Sequence, residues 1–150
     1  MSEASIPAVD ERYNITVQEY IEIIHDLVMK QHVARVKDIA RLRGVTRSSV
    51  SIALNVLRDL GLIDHEHYGF VSLTEDGMAL SESLAKRHRL ILTFLVDFLE
   101  IEYDVADREA CRLEHTMSHE TLNALVEYVK AAGECPLCNK SHPPDNSTTA

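Results

Sequence analysis

The run VKDIARLRGVTRSSVSIALNVLRDLG, residues 36–61, holds two short apolar-periodic segments separated by a single turn. In the first, Val36, Ile39, Ala40 and Leu42 recur at helical spacing and stop at Gly44, the residue type that best tolerates a left-handed position after a helix. The second opens after Thr46, whose hydroxyl suits an N-cap, and carries Val50, Ile52, Ala53, Leu54, Val56, Leu57 and Leu60 as far as Gly61. Two helices joined by only Gly44, Val45 and Thr46 predict a helix-turn-helix, a unit that lays its second helix in the major groove of DNA.

Upstream, Val17, Tyr20, Ile21, Ile24, Leu27 and Val28 predict a helix to about Lys30, with Thr16 as N-cap and Glu19 completing a capping box. Met1–Asn14 shows no apolar period and predicts a mobile arm. Downstream, residues 62–66 and 70–74 flank Tyr68-Gly69 as two short strands, the signature of a β-hairpin wing. Thr74 caps a further helix, with Glu75 and Asp76 in its first turn where the helix dipole favours anions. That helix carries Leu80, Leu84, Leu90, Ile91, Leu95, Val96 and Leu99, an apolar surface that calls for a partner. Two more helical stretches, residues 105–117 and 118–132, precede Gly133, and the tail from residue 134 has no apolar period. The expected architecture is mainly α. An arm (1–15) leads into a winged helix-turn-helix DNA-binding domain (16–78), an all-helical metal-binding and dimerisation domain (79–133) and a flexible tail (134–150).

The chain carries a formal net charge of −9, which by itself argues against a polyanionic partner. Its distribution argues the other way. Between Lys30 and Leu60 seven basic residues, among them Lys37, Arg43 and Arg47, face only Asp38 and Asp59, whereas from His88 onward acidic residues outnumber basic ones. A basic segment joined to an acidic one suits a DNA reader attached to a cation-sensing module. No apolar run reaches the ~18 residues of a membrane span and the N-terminus lacks a signal-peptide pattern, so the expected location is the cytoplasm. Cys111, Cys135 and Cys138 are too few for a disulfide framework and point to metal or thiol chemistry.

Cys111, Glu114 and His115 stand at i, i+3 and i+4, which places thiolate, carboxylate and imidazole on one helix face. Glu19 and Glu22 share a face of the first helix, with His25 a turn further on. Neither helix closes a coordination shell alone. Together they offer carboxylate oxygens, one sulfur and one nitrogen, a set suited to a first-row divalent metal. The same residues would also serve as solvated carboxylates and a core histidine.

The string His88-Arg89-Leu90, then Phe94-Leu95, then Glu109-Ala110-Cys111-Arg112-Leu113-Glu114-His115 with Met117-Ser118 resembles the diphtheria-toxin-repressor and manganese-transport-regulator family. Glu19-Tyr20-Ile21-Glu22, Ala34-Arg35-Val36, Ser48-Ser49-Val50 and Leu73-Thr74 with Gly77 support it, and the match runs from about Thr16 to Cys135. The resemblance implies a winged-helix reader, a helical dimerisation domain and a metal site at their junction. It implies ligand roles for Glu19, Glu22, Cys111, Glu114 and His115, and it marks His88 as the family's further metal-binding histidine. Cys111 matches the iron branch, and Glu22 the manganese branch. Leu92 and Asp107 stand where the iron branch has glutamate and histidine ligands, a departure that bears on a second site.

The function that the resemblance and these residues together imply is a repressor that binds operator DNA, an inverted repeat, as a metal-loaded homodimer, with Fe²⁺ the expected metal and Mn²⁺ the alternative. Thr46, Arg47, Ser48, Ser49, Ser51 and Ile52 are the expected DNA contacts at the start of the recognition helix, joined by Lys37. Arg47 and Ser49 are assigned to phosphate, and Ser48 and Ile52 to base edges. A metallohydrolase is the alternative from another class, because such a metal can activate water. Cys135-Pro-Leu-Cys138 with His142 nearby has the spacing of one half of a zinc site and reads otherwise as a reactive, dispensable thiol pair.

Overall fold

The computed structural model describes residues 6, 8–65 and 69–134. Its first helix, α1 (Ile15–Gln31), is capped by Asn14 rather than Thr16: Asn14 Oδ1 accepts from the Val17 amide at 3.0 Å. Asparagine is among the strongest N-caps, so the helix starts before Thr16 and Glu19 is free to face a neighbouring helix. The described residues of the expected arm pack on the fold. Tyr13 N donates to Asp10 O at 2.9 Å, Ile6 is buried, and Val9 and Tyr13 pack against the core. Ile6, Val9 and Tyr13 fall at i, i+3 and i+7, an apolar face too short to stand out as a period.

The reader follows the sequence closely. Helix α2 (Val36–Arg43) ends at Gly44, whose φ of 70° is the left-handed cap that glycine supplies without strain. Thr46 caps α3 (Arg47–Asp59), its hydroxyl accepting from Ser49 N at 3.1 Å. Strands β1 (Ala34–Arg35), β2 (Ile63–His65) and β3 (Phe70–Leu73) form an antiparallel sheet in the order β1-β3-β2, with Ala34 opposite Val71 and Asp64 opposite Ser72. Strand β1 was not expected, because two residues cannot display an alternation. Tyr68, at the expected wing tip, lies outside the described residues, as do Cys135, Cys138 and His142.

Thr74 caps α4 (Glu75–Thr93), accepting from Gly77 N at 3.1 Å. The helix does not run on to Leu99 as an α-helix: it widens into a π-helical turn over Phe94–Phe98. Phe94 and Phe98 stack there, and Tyr128 packs against both with ring centroids about 6 Å away. Helices α5 (Tyr103–Thr116) and α6 (His119–Glu134) complete the described chain. Two cores result. Ile21, Ile24, Ile39, Leu54, Leu57 and Val71 close the first, together with Leu80 and Leu84 from α4; Ile91, Leu95, Ala106, Ala110 and Leu122 close the second. Each fully buried aliphatic side chain contributes about 1.5–3 kcal/mol, so α4, which enters both cores, is held firmly at their junction. Its start is set by Gly77, where a Cβ would lie 2.0 Å from the Leu62 carbonyl oxygen. Much of the apolar stripe of α4 is thus covered within the chain. Leu99, Tyr103, Val105 and Tyr128 remain exposed.

Candidate metal centre and nucleic-acid interface

Helix α1 brings Gln18 and Glu22, one turn apart, against the face of α5 that carries Glu114 and His115, while α4 supplies Arg87 and His88 from below. Each of Glu22, Glu114 and His115 offers one ligand atom, and these atoms lie within 4.8 Å of one another. His115 Nε2 stands 3.2 Å from Glu22 Oε2 and 3.4 Å from Glu114 Oε1. Its other ring nitrogen, Nδ1, lies 2.9 Å from Gln18 Oε1. Glu22, Glu114 and His115 line a cleft of about 790 Å³ with Glu19, His25, His88, Asp107 and Cys111.

Glu114 is the electrostatic centre of the site. It is 1% exposed, and its carboxyl is pushed up to about 9, first by burial and then by the charge of Glu22 beside it. Arg87, itself buried, donates from Nη1 to the Glu114 carbonyl oxygen at 3.1 Å rather than to the carboxylate. Burial pulls the Arg87 guanidinium below its usual range, and Glu114 opposes that fall. The site therefore concentrates buried carboxyl oxygen and imidazole nitrogen with negative charge in excess. Such donors fit a first-row divalent cation, which takes carboxylate and imidazole together.

The remaining expected ligands are placed differently. Glu19 lines the cleft, but its carboxylate is bonded to Arg43 at the end of α2. His88 has both ring nitrogens engaged, Nδ1 at 2.8 Å from Glu114 Oε2 and Nε2 at 2.8 Å from Asp107 Oδ1. Cys111 is exposed at the cleft, outside the close trio, and its thiol is pushed up by burial first and by Glu114 and Glu22 next. Gln18, Arg43 and Arg87 escape the sequence reading as site residues, and Asp107 enters it only as a departure from the iron branch's histidine ligand. Helical spacing offered a signal for two of them, since Gln18 is i, i+4 with Glu22 and Asp107 is i, i+4 with Cys111.

At the other end of the reader, Thr46, Arg47, Ser48, Ser49, Ser51 and Ile52 are all exposed at the start of α3, and Lys37 is exposed on α2. Ile52 is 67% exposed, an unusual position for a large aliphatic side chain and one suited to contact with a thymine methyl group. Three of the hydroxyls have other duties. Ser49 Oγ lies 2.9 Å from Thr46 Oγ1 within the cap, and Ser51 Oγ donates to the Arg47 carbonyl oxygen at 3.0 Å. Arg47 and Ser48 carry no such internal bond among those found for the described side chains.

Residues 15–71 match the family described as iron dependent repressor, N-terminal DNA binding domain, and residues 74–143 match iron dependent repressor, metal binding and dimerisation domain. The transcriptional regulator MntR of Salmonella typhimurium is 32% identical over 117 residues, 78% of this chain and 74% of its own. Among solved structures, T. acidophilum IdeR is similar at a TM-score of 0.65 and 28% identity over 83% of this chain. A manganese-dependent transcriptional repressor in complex with manganese is similar at 0.67 and 29% over 85%. This chain spans 56% and 62% of the lengths of those two structures.

Proposed function

The chain belongs to the iron-dependent repressor family, whose members, MntR and IdeR among them, are metal-dependent transcriptional regulators and not enzymes, and from that premise we propose that it is a metal-activated repressor that binds operator DNA as a homodimer. The observation that carries the proposal is the meeting of Glu22 from α1 with Glu114 and His115 from α5. Residues 16–78 form the reader and residues 79–133 the metal-binding and dimerisation part. Leu99, Tyr103, Val105 and Tyr128 supply apolar surface for the second copy. No described helix is long and apolar enough to cross a membrane, which accords with work on DNA in the cytoplasm.

Glu22, Glu114 and His115 would hold the metal, with Cys111, Glu19 and His88 beside them to complete the shell. A bound divalent cation supplies the positive charge that these carboxylates lack. In its absence Glu114 keeps a proton, His88 shares its two nitrogens between Glu114 and Asp107, and Arg43 holds Glu19. The same side chains link α1 of the reader to α5 of the second core. Ligation would thereby fix the spacing of two recognition helices across the dimer, and an inverted repeat is the operator that two such helices read.

Fe²⁺ is the proposed metal because Cys111 offers a soft sulfur that Mn²⁺ gains least from; the oxygen donors Glu19 and Glu22 favour Mn²⁺ as the alternative. Fluorescence anisotropy with operator-length DNA tests the whole proposal. Binding should require added Fe²⁺ or Mn²⁺ and be lost with chelator, and equal affinity with and without chelator would refute it.

A further inference from the structure

Gln18 is a buried amide, 6% exposed, with both ends of its side chain bonded. Its Nε2 donates to the Tyr13 carbonyl oxygen at 2.7 Å. A carbonyl oxygen only accepts, so this contact settles which way the amide is turned. Oε1 must then face His115, 2.9 Å from Nδ1. An amide oxygen likewise only accepts, so Nδ1 carries a hydrogen. Nε2 is left as the nitrogen that faces Glu22 and Glu114, at 3.2 and 3.4 Å.

From this chain of donors and acceptors we infer that Gln18 is a positioning residue for the metal site: it selects the His115 tautomer whose Nε2 is open to a metal, and it ties that choice to the Asp10–Tyr13 turn. Free imidazole places its proton on Nε2 more readily, the tautomer that would set an N–H against an incoming cation. Outer partners of this kind fix both the tautomer and the ring plane of a ligating histidine. The bond to Tyr13 O adds a second consequence. The turn before α1, held by Tyr13 N to Asp10 O at 2.9 Å and packed on the core through Tyr13, sets the metal site although it contributes no ligand.

The inference rests on the metal reading above, and the test separates the two. Mn²⁺ alone is titrated into the full chain without DNA, for wild type, Gln18→Leu and Glu22→Gln. Gln18→Leu should weaken Mn²⁺ binding by about 10–100-fold, the usual effect of removing an outer partner of a ligand. Long-range ¹⁵N–¹H spectra of the metal-free wild type should place the proton of the neutral His115 ring on Nδ1, and Gln18→Leu should move it to Nε2. A wild-type proton on Nε2 overturns the assignment, and this spectrum decides even if Gln18→Leu does not fold. A Gln18→Leu affinity within about threefold of wild type, beside a loss in Glu22→Gln, overturns the role of Gln18 and leaves the metal reading standing. No loss in either variant removes both.

Discussion

Arg43, the last residue of α2, closes its guanidinium on the carboxylate of Glu19 in α1. The same guanidinium lies 5.7 Å from the centre of the Tyr20 ring, so it is held from two sides at the edge of the metal cleft. Glu19 is a ligand candidate, and a cation entering the cleft has to compete with Arg43 for it. Arg43→Gln removes the competitor. A half-exposed pair of this kind is worth about 0.5–1 kcal/mol, so Mn²⁺ should bind about 2–5-fold more tightly by calorimetric titration. Unchanged affinity would show that Glu19 stays outside the ligand set.

Glu114 sets the pH dependence of the metal-free protein. Its carboxyl is raised from 4.5 to about 9 in the fold, so the native chain keeps a proton that the unfolded chain releases across that window. The native state binds more protons there, and stability therefore falls as pH rises from 4.5 toward about 9. Glu114→Gln keeps the shape and removes the ionisation. At about pH 8 the variant should melt roughly 2–4 °C higher, for a gain of about 1 kcal/mol, and its melting temperature should vary less with pH. Metal binding should be lost. A variant that melts with the wild-type pH profile would place the raised acid elsewhere.

Gly77 tests how α4 is seated on the wing. A Cβ there would stand 2.0 Å from the Leu62 carbonyl oxygen, which already accepts from Thr74 N at 3.1 Å. Backbone cannot move aside as a flexible side chain can. Gly77→Ala should cost about 1–3 kcal/mol in denaturant unfolding, against the slight gain that the same change brings in an ordinary helix. Stability equal to wild type would mean that α4 shifts freely against β2.

Much of this fold is legible in the sequence wherever local chemistry decides the outcome. Gly44, Thr46 and Thr74 mark helix ends through their own conformational and hydrogen-bonding preferences, and the structure places caps at all three. Glu22, Glu114 and His115 stand out because helical spacing puts donors on one face, and the fold brings those faces together. What escapes the sequence is pairing over distance. Gln18 meets His115 across 97 residues and Arg43 meets Glu19 across 24, and no spacing rule connects them. The π-helical turn at Phe94–Phe98 escapes for a related reason: an apolar stripe reads as continuous whether or not one turn widens.

The reader can be tested separately from the metal. Arg47 is exposed at the first turn of α3 and is assigned to phosphate rather than to a base. Arg47→Ala should weaken binding to all DNA sequences alike and lower the slope of log affinity against log salt by about one. Ile52→Ala is the contrasting case, because an aliphatic contact with a thymine methyl carries sequence preference and no charge. A change of preference in Arg47→Ala at an unchanged salt slope would reverse the assignment.

The identity of the metal turns on Cys111. Its thiol lies at the cleft but outside the close trio of Glu22, Glu114 and His115, and burial together with the neighbouring carboxylates keeps it protonated above its usual range. A metal that uses the sulfur must therefore displace that proton, and it must gain enough from the bond to do so. Mn²⁺ stands lowest in the divalent affinity series and is hard, so it gains least from thiolate; Fe²⁺ gains more. Fe²⁺ should activate DNA binding at a lower free concentration than Mn²⁺ under anaerobic conditions, and the difference should widen as pH rises and the thiol proton becomes easier to remove. Cys111→Glu replaces sulfur with hard oxygens and removes the thiol proton, so it should narrow or reverse the difference and weaken its dependence on pH. The Fe²⁺ to Mn²⁺ activation ratio in the two proteins is the deciding measurement. If that ratio is the same in Cys111→Glu as in wild type, the sulfur is not a ligand, the site is one of oxygen and nitrogen alone, and manganese becomes the metal its chemistry favours.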